Sequence, residues 1–215
     1  MKYQQLYLLI IFSMFFLSTI ANAQRTNKGE KVQGFIIDSK QDTIHGLIEI
    51  EDYIVAETRI KFSERLGKDY GKVKIYKPKD IKGYAIKIPV NNNSSQIVEE
   101  WIAYVTKDVE DAPKPFAPKT VFLERKERGI YNLYVYHVQS NTDARNTLYF
   151  ILEKSNTKQM IKVTVSNFDE IASNFLNDCK NIRSRMGRAD FSYFNLDRII
   201  YAYNRCTIEA EIHEN

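Results

Sequence analysis

Between residues 31 and 165, apolar and polar residues alternate in short runs, which predicts a series of β-strands. In residues 43–50, Ile44, Gly46, Ile48 and Ile50 fall on one face of such a strand, a pattern typical of a half-buried strand. The predicted strands cover residues 32–37, 43–50, 58–63, 73–75, 83–88, 97–106, 120–125, 130–138, 146–153 and 160–165. Since no helical crossovers separate them, we expect antiparallel pairing.

After Val165 the apolar period changes from two to that of a helix. The first helical stripe comprises Phe168, Ile171, Phe175, Leu176, Cys179, Ile182 and Met186, and a second helix is expected over residues 195–205, followed by a polar end that frays. The sequence therefore predicts an α+β, mainly β fold. An antiparallel sheet or half-open barrel in a β-rich domain (24–165) is followed by a helical pair in the C-terminal segment (166–215), which packs on the sheet.

The N-terminus has the three-part pattern of a secretory signal peptide. Lys2 precedes an almost wholly apolar run from Leu6 to Ile20, and small residues at Ala21 and Ala23 mark a cleavage site before Gln24. The alternative is an uncleaved anchor, but the apolar run is shorter than the roughly 20 residues of a membrane span. We therefore expect residues 1–23 to be removed, leaving a periplasmic or secreted chain with no transmembrane segment.

Composition limits the classes of partner. Removal of residues 1–23 leaves 192 of the 215 residues, enough for one domain with a real core, and lowers the net charge of +4 by one because Lys2 is lost. The charges are interleaved and only Lys72–Lys79 forms a local basic cluster, which Asp80 ends. No nucleic-acid partner is expected from this pattern.

Cys179 and Cys206 are the only cysteines. In an oxidising compartment a single pair is more often bridged than free, so a structural disulfide is predicted, with two buried thiols as the alternative. The spacing is not that of a redox-active CxxC pair.

Candidate catalytic chemistry is sparse. His45 and His137 lie in predicted strands without a neighbouring carboxylate at metal-ligand spacing, and no G-x-S-x-G motif supports a nucleophile that His137 could serve. Glu99 and Glu100 are adjacent, so on a strand they point to opposite faces. The sequence assigns no catalytic, cofactor-binding or metal-binding residue, and a carboxylate pair that converges only on folding stays open.

The most aromatic stretch is the predicted strand around residues 131–137. Tyr134 and Tyr136 share one face of it, while Tyr131 and His137 share the other. Such a row either packs in the sheet or, if exposed, contacts a partner protein or stacks on sugars. We take Tyr134 and Tyr136 as candidate partner contacts.

Three segments resemble a group of exported proteins of unknown function from Bacteroidota-type bacteria. They are Asp42–Ile48 (DTIHGLI), Tyr76–Tyr84 (YKPKDIKGY) and Tyr203–Cys206 (YNRC). The resemblance implies an envelope location, agrees with pairing of Cys179 and Cys206, and carries over no catalytic residue.

Taken together, these features predict an exported protein, a non-enzymatic binding or accessory protein of the cell envelope, whose partner is an envelope protein or polysaccharide. The alternatives are a hydrolase acting on an envelope or extracellular glycan or peptide, and a structural envelope factor without a ligand pocket. The oligomeric state is left open.

Overall fold

The computed structural model describes residues 28–91, 97–109, 120–139 and 146–213. The predicted cleavage site between Ala23 and Gln24 lies outside these ranges. The strands are β1 (Lys31–Ile37), β2 (Thr43–Glu49), β3 (Ile60–Leu66), β4 (Asp69–Tyr70), β5 (Lys74–Tyr76), β6 (Gly83–Asn91), β7 (Ile97–Asp108), β8 (Thr120–Glu127), β9 (Tyr131–Gln139), β10 (Asn146–Lys154) and β11 (Met160–Val163). The helices are α1 (Tyr53–Ala56), α2 (Phe168–Phe175), α3 (Lys180–Arg183) and α4 (Leu196–His213), with a 3-10 turn at Tyr193–Asn195.

The eleven strands of the described residues form one open sheet in which every pairing is antiparallel. The order is β11-β10-β9-β8-β7-β6-β1-β2-β3-β4, and β5 pairs with β3. Strands that are consecutive in sequence pair with each other, except that β5 pairs with β3 rather than with β4 or β6, and that β6 pairs with β1. This confirms the predicted class, a mainly β, antiparallel fold followed by helices near the C-terminus.

The two faces of the sheet differ in what they bury. The core face carries one apolar cluster on β1–β8, which includes Ile36, Phe62, Tyr84 and Phe122. On β9–β11 the same face carries Leu133 and other residues that pack against the helices. The helices and the sheet therefore share a core. The opposite face is called the outer face below. The strand registers place Phe35, Trp101, Tyr134, Tyr149 and Lys162 on it.

The hydrogen-bonded pairing between β8 and β9 is short, and Glu57 accepts backbone hydrogen bonds from both strands where the pairing ends. The two strands pair only from Glu124–Val135 to Glu127–Leu133, with a register shift between. Beyond that point Glu57, which follows α1, accepts the Phe122 N–H through its main-chain carbonyl (2.8 Å). Its side chain accepts the His137 N–H (2.7 Å). Glu57 thus satisfies one backbone donor on each of two strands that have separated.

The prediction of one continuous helix over residues 168–186 is wrong, because the helix is interrupted in the middle. Helix α2 ends at Phe175, and Cys179 has extended backbone angles (φ −80°, ψ 112°) immediately before α3. Asp178 accepts a hydrogen bond from Tyr203 (2.9 Å), and Cys179 is bridged to Cys206. Adjacent residues on a helix point about 100° apart, so the extended turn lets both side chains reach α4.

At the C-terminus α4 runs on to His213, so the predicted helix end near residue 205 is also wrong. Among the helices of the described residues, none is long and apolar enough to cross a membrane.

Candidate functional site

A cleft of about 350 Å³ opens on the outer face, between the end of β7 and the β10–β11 hairpin. Its position follows from the sheet, since β9, β10 and β11 are consecutive neighbours and place alternate side chains on that face. Tyr136, Tyr149 and Ile151 come from β9 and β10, and Lys158 and Lys162 come from the hairpin.

The floor of the cleft is apolar. Ile151 and Tyr136 belong to a buried cluster of the outer face, in which Val109 also takes part and against which Met160 packs. All four residues line the cleft. Because this cluster is already packed without a ligand, the cleft has a preformed base.

The rim of the cleft carries more positive than negative charge. Lys158, Lys162 and Asp108 line it. The Lys162 ammonium lies 3.6 Å from the centre of the Tyr149 ring, a cation–π contact that fixes the position of the charge. Asp108 accepts a hydrogen bond from Thr120 Oγ1 (2.6 Å). Within the described ranges, no carboxylate forms a salt bridge with Lys158 or Lys162.

Next to the cleft, the outer face holds a buried ionic network. Glu153 is 2% exposed and accepts hydrogen bonds from Tyr134 (2.7 Å), Asn132 (3.0 Å) and the Lys107 ammonium. Burial alone would raise the pKa of Glu153, but these donors outweigh it and leave the pKa below its ordinary value. Glu153 therefore stays ionised and serves as an anchor between β7, β9 and β10.

Tyr134 and Tyr136 do not form the exposed contact row considered above. They are 2% and 6% exposed, because Val109, Ile151 and Met160 pack over this part of β9. The Tyr134 hydroxyl is directed to Glu153, and burial together with that hydrogen bond raises its pKa. Tyr136 reaches the cleft only as part of its floor. The packing interpretation of this strand is thus the one that the structure supports.

The core face contains a buried acid–histidine pair, Glu57 and His137, whose Oε1 and Nδ1 atoms are 3.0 Å apart. Glu57 is 3% exposed, and burial raises its pKa, an effect that His137 partly opposes and Glu124 reinforces. Its other contacts are to main-chain groups of β8 and β9. Neither residue lines the cleft, and the hydrogen bonds that Glu57 accepts tie the end of α1 to β8 and β9.

Exposed aromatic residues lie elsewhere on the outer face. Trp101 is 51% exposed and its ring centre lies 5.2 Å from that of Phe35, which in turn lies 5.7 Å from that of His45. The rings are tilted by 46° and 62°. They form cross-strand contacts rather than a coplanar platform. His45 thus belongs to this aromatic group of the outer face.

The predicted bridge is present: Cys179 and Cys206 form a disulfide with Cα atoms 6.1 Å apart. In the part of the chain that the structure describes, no three His, Cys, Asp or Glu side chains are grouped as a metal site.

The residues of the resemblance have structural roles. Asn204 donates to and accepts from the Tyr131 main chain (2.9 and 3.0 Å), and a side chain at Gly46 would overlap Phe62 and the Ser63 carbonyl. Asp80 accepts the Lys77 N–H (2.8 Å) in the turn before β6. These three residues therefore help to fix the fold.

Sequence reasoning misses most of the cleft. It singles out Tyr136, but not Tyr149, Lys158, Lys162 or Asp108. The only signal is the alternation of β10 and β11, which places Tyr149 and Lys162 on defined faces without showing that the faces meet a concavity. Comparison of the chain with known protein families, curated proteins and solved structures gives no match.

Proposed function

We propose that this chain is an exported protein of the bacterial cell envelope that binds an envelope protein or polysaccharide through the outer-face cleft and has no catalytic activity. The observation that carries the proposal is the cleft itself. It combines a preformed apolar floor with two ammonium groups, Lys158 and Lys162, that no described carboxylate neutralises. Unpaired charge beside buried apolar surface is the arrangement of a binding site.

Two observations support export. Residues 1–23 have the sequence pattern of a cleavable signal peptide. The Cys179–Cys206 disulfide is of the kind that persists in oxidising compartments and is rare in the cytosol.

The alternative, a glycan or peptide hydrolase, has less support. Glycoside hydrolysis ordinarily needs two carboxylates that face each other across the substrate. Among the described residues that line the cleft, Asp108 is the one carboxylate. The buried Glu57–His137 pair lies on the core face and does not line the cleft.

Site-specific photo-crosslinking in the producing cells tests the proposal. A diazirine amino acid replaces Gln159, an exposed residue that lines the cleft. A matched variant carries it at Lys68, an exposed residue of the β3–β4 turn. After irradiation the protein is purified from the envelope fraction and its N-terminus is sequenced.

We expect a mature chain that begins at Gln24, with an adduct at position 159 that position 68 does not give. Equal adducts at both positions, or none at 159, contradict binding at the cleft. Recovery from the cytosol with Met1 intact contradicts export.

A further inference from the structure

We propose that the ligand of the cleft is an acidic sugar unit, a uronate residue of an envelope polysaccharide, held by Lys158 and Lys162 at its carboxylate. This inference rests on the proposed function, because it names the ligand class of the same cleft.

The charges of the cleft require a ligand with a negative group. Lys158 and Lys162 supply two ammonium groups against the one carboxylate of Asp108. Lys162 is held over the Tyr149 ring, so part of the entropy cost of ordering its side chain is already met before binding. An ammonium fixed in this way pairs well with a carboxylate through a charge-assisted hydrogen bond.

The hydrogen-bonding groups of the cleft favour a ligand that also carries hydroxyls. Asp108 and the Gln159 side chain accept hydrogen bonds, and Gln159, Tyr136 and Tyr149 can donate them. Burial raises the pKa of Tyr136, so its hydroxyl keeps its proton. A simple acyl carboxylate would offer these groups no hydroxyl partner, whereas a uronate ring offers several hydroxyls and one carboxylate.

The size and floor of the cleft fit a sugar ring. A volume of about 350 Å³ lies at the small end of the range for small-molecule sites and suits about one or two rings. Ile151 and Met160 in the floor can meet the C–H face of a ring, and the cleft is a surface concavity rather than an enclosed cavity. An internal unit of a polymer can therefore bind without its ends being enclosed.

Calorimetric titration of the purified mature chain tests the assignment. The probes are trisaccharides of galacturonate, glucuronate and mannuronate, each compared with its carboxyl-reduced neutral counterpart. We expect at least one uronate to bind, and to bind about tenfold more tightly than its reduced form, the effect of one charge-assisted hydrogen bond. Its affinity should fall as salt is raised.

Variants locate the interaction. A Lys158→Gln, Lys162→Gln double variant should lose about tenfold or more in affinity for the uronate. A Lys68→Gln, Lys79→Gln control has the same change in net charge at exposed positions away from the cleft and should bind as the wild type does. Thermal unfolding of each variant shows that the fold is retained.

The inference is overturned if no uronate binds, if the reduced forms bind equally well, or if the control variant loses as much affinity as the cleft variant. A glutamate-rich peptide that binds more tightly than every uronate would also overturn it, in favour of a protein partner. In each case a crosslinked adduct at residue 159, absent at residue 68, would still support binding at the cleft. Failure of the sugar assignment is therefore distinguishable from failure of the proposed function.

Discussion

Glu57 and Glu153 show how the surroundings of one side-chain type decide its ionisation. Both are almost fully buried. Glu153 is surrounded by donors, including an ammonium, and its pKa is lowered. Glu57 has two contacts with His137, lies near Glu124, and its pKa is raised because burial outweighs those contacts. Glu153 therefore stabilises the folded chain at pH values above its ordinary pKa. Glu57 instead destabilises the folded chain at pH values high enough to ionise it.

Replacing Glu57 by glutamine should change how stability depends on pH. Because the folded-state pKa of Glu57 is raised, the folded chain keeps a proton that the unfolded chain releases, and the contribution of Glu57 to wild-type stability falls as pH rises above about 4.5. The amide oxygen of the introduced glutamine can still accept the His137 N–H, but the amide does not titrate. In urea unfolding, the free energy of unfolding of the Glu57→Gln variant should increase relative to that of the wild type as pH rises. The increase should be about 1.4 kcal/mol for each unit by which folding raises the pKa of Glu57.

The matched control is Glu170→Gln, on the exposed first turn of α2, which should leave that pH dependence unchanged. If the Glu57→Gln variant loses stability relative to the wild type between pH 4.5 and 7, the ionised Glu57–His137 pair is stabilising and the assignment of burial as the dominant cause is wrong.

The burial of Glu57 could not be foreseen from the sequence. It lies between two predicted strands, in a segment whose alternation is weak, and a glutamate there is ordinarily exposed. Its partners, Phe122 and His137, are far along the chain and reach it only because β8 and β9 separate. A hydrogen bond from a distant residue that takes the place of a bond between two strands leaves no periodic pattern in the sequence.

At the scale of elements, alternation predicted the strands well because each has one buried face. The ten predicted strands all exist, with ends that differ by a few residues. Two short elements were missed: β4 has two residues and α1 has four, too short for a period to show. The break between α2 and α3 was missed because the apolar stripe continues through it, with Leu176, Cys179 and Ile182 all buried.

The disulfide is expected to stabilise the helical segment rather than the sheet. Cys179 and Cys206 are 27 residues apart and join the start of α3 to α4. A Cys179→Ala, Cys206→Ala double variant should lose about 3–4 kcal/mol in chemical denaturation, the chain-entropy cost of a loop of this length. Its far-UV circular dichroism should retain the sheet signal, because the strand ladders do not depend on the bridge.

Thiol labelling of the denatured wild type provides the control, since it should find no free thiol without reductant. A double variant as stable as the wild type would show that the bridge adds nothing beyond the packing of α3 and α4. Loss of the sheet signal would show that the sheet cannot fold without it.

At the scale of the whole molecule, the sheet separates two tasks. Its core face packs against itself and the helices, and its outer face carries the cleft. Asn204 and Gly46, which belong to the segments that suggested a resemblance, contact the main chain or neighbouring strands. The chemistry open to a partner therefore comes from residues that no motif marked.

The cleft could not be predicted because its lining is scattered from Asp108 to Lys162 along four strands and the turn between the last two. Each strand face was predictable, but the register between β9, β10 and β11 was not. A shift by one residue would turn Tyr149 and Lys162 to the core face. The fold class was thus within reach of the sequence, whereas the site depends on pairing geometry.

Hydrogen–deuterium exchange of the full mature chain, with and without a solubilised envelope fraction from the producing cells, tests the central claim most directly. Binding at the cleft predicts slower exchange in β11 and the turn before it, around residues 155–162, with no change in the β3–β4 turn around Lys68. Unchanged exchange around residues 155–162, or equal protection at both turns, would contradict the cleft as the binding surface.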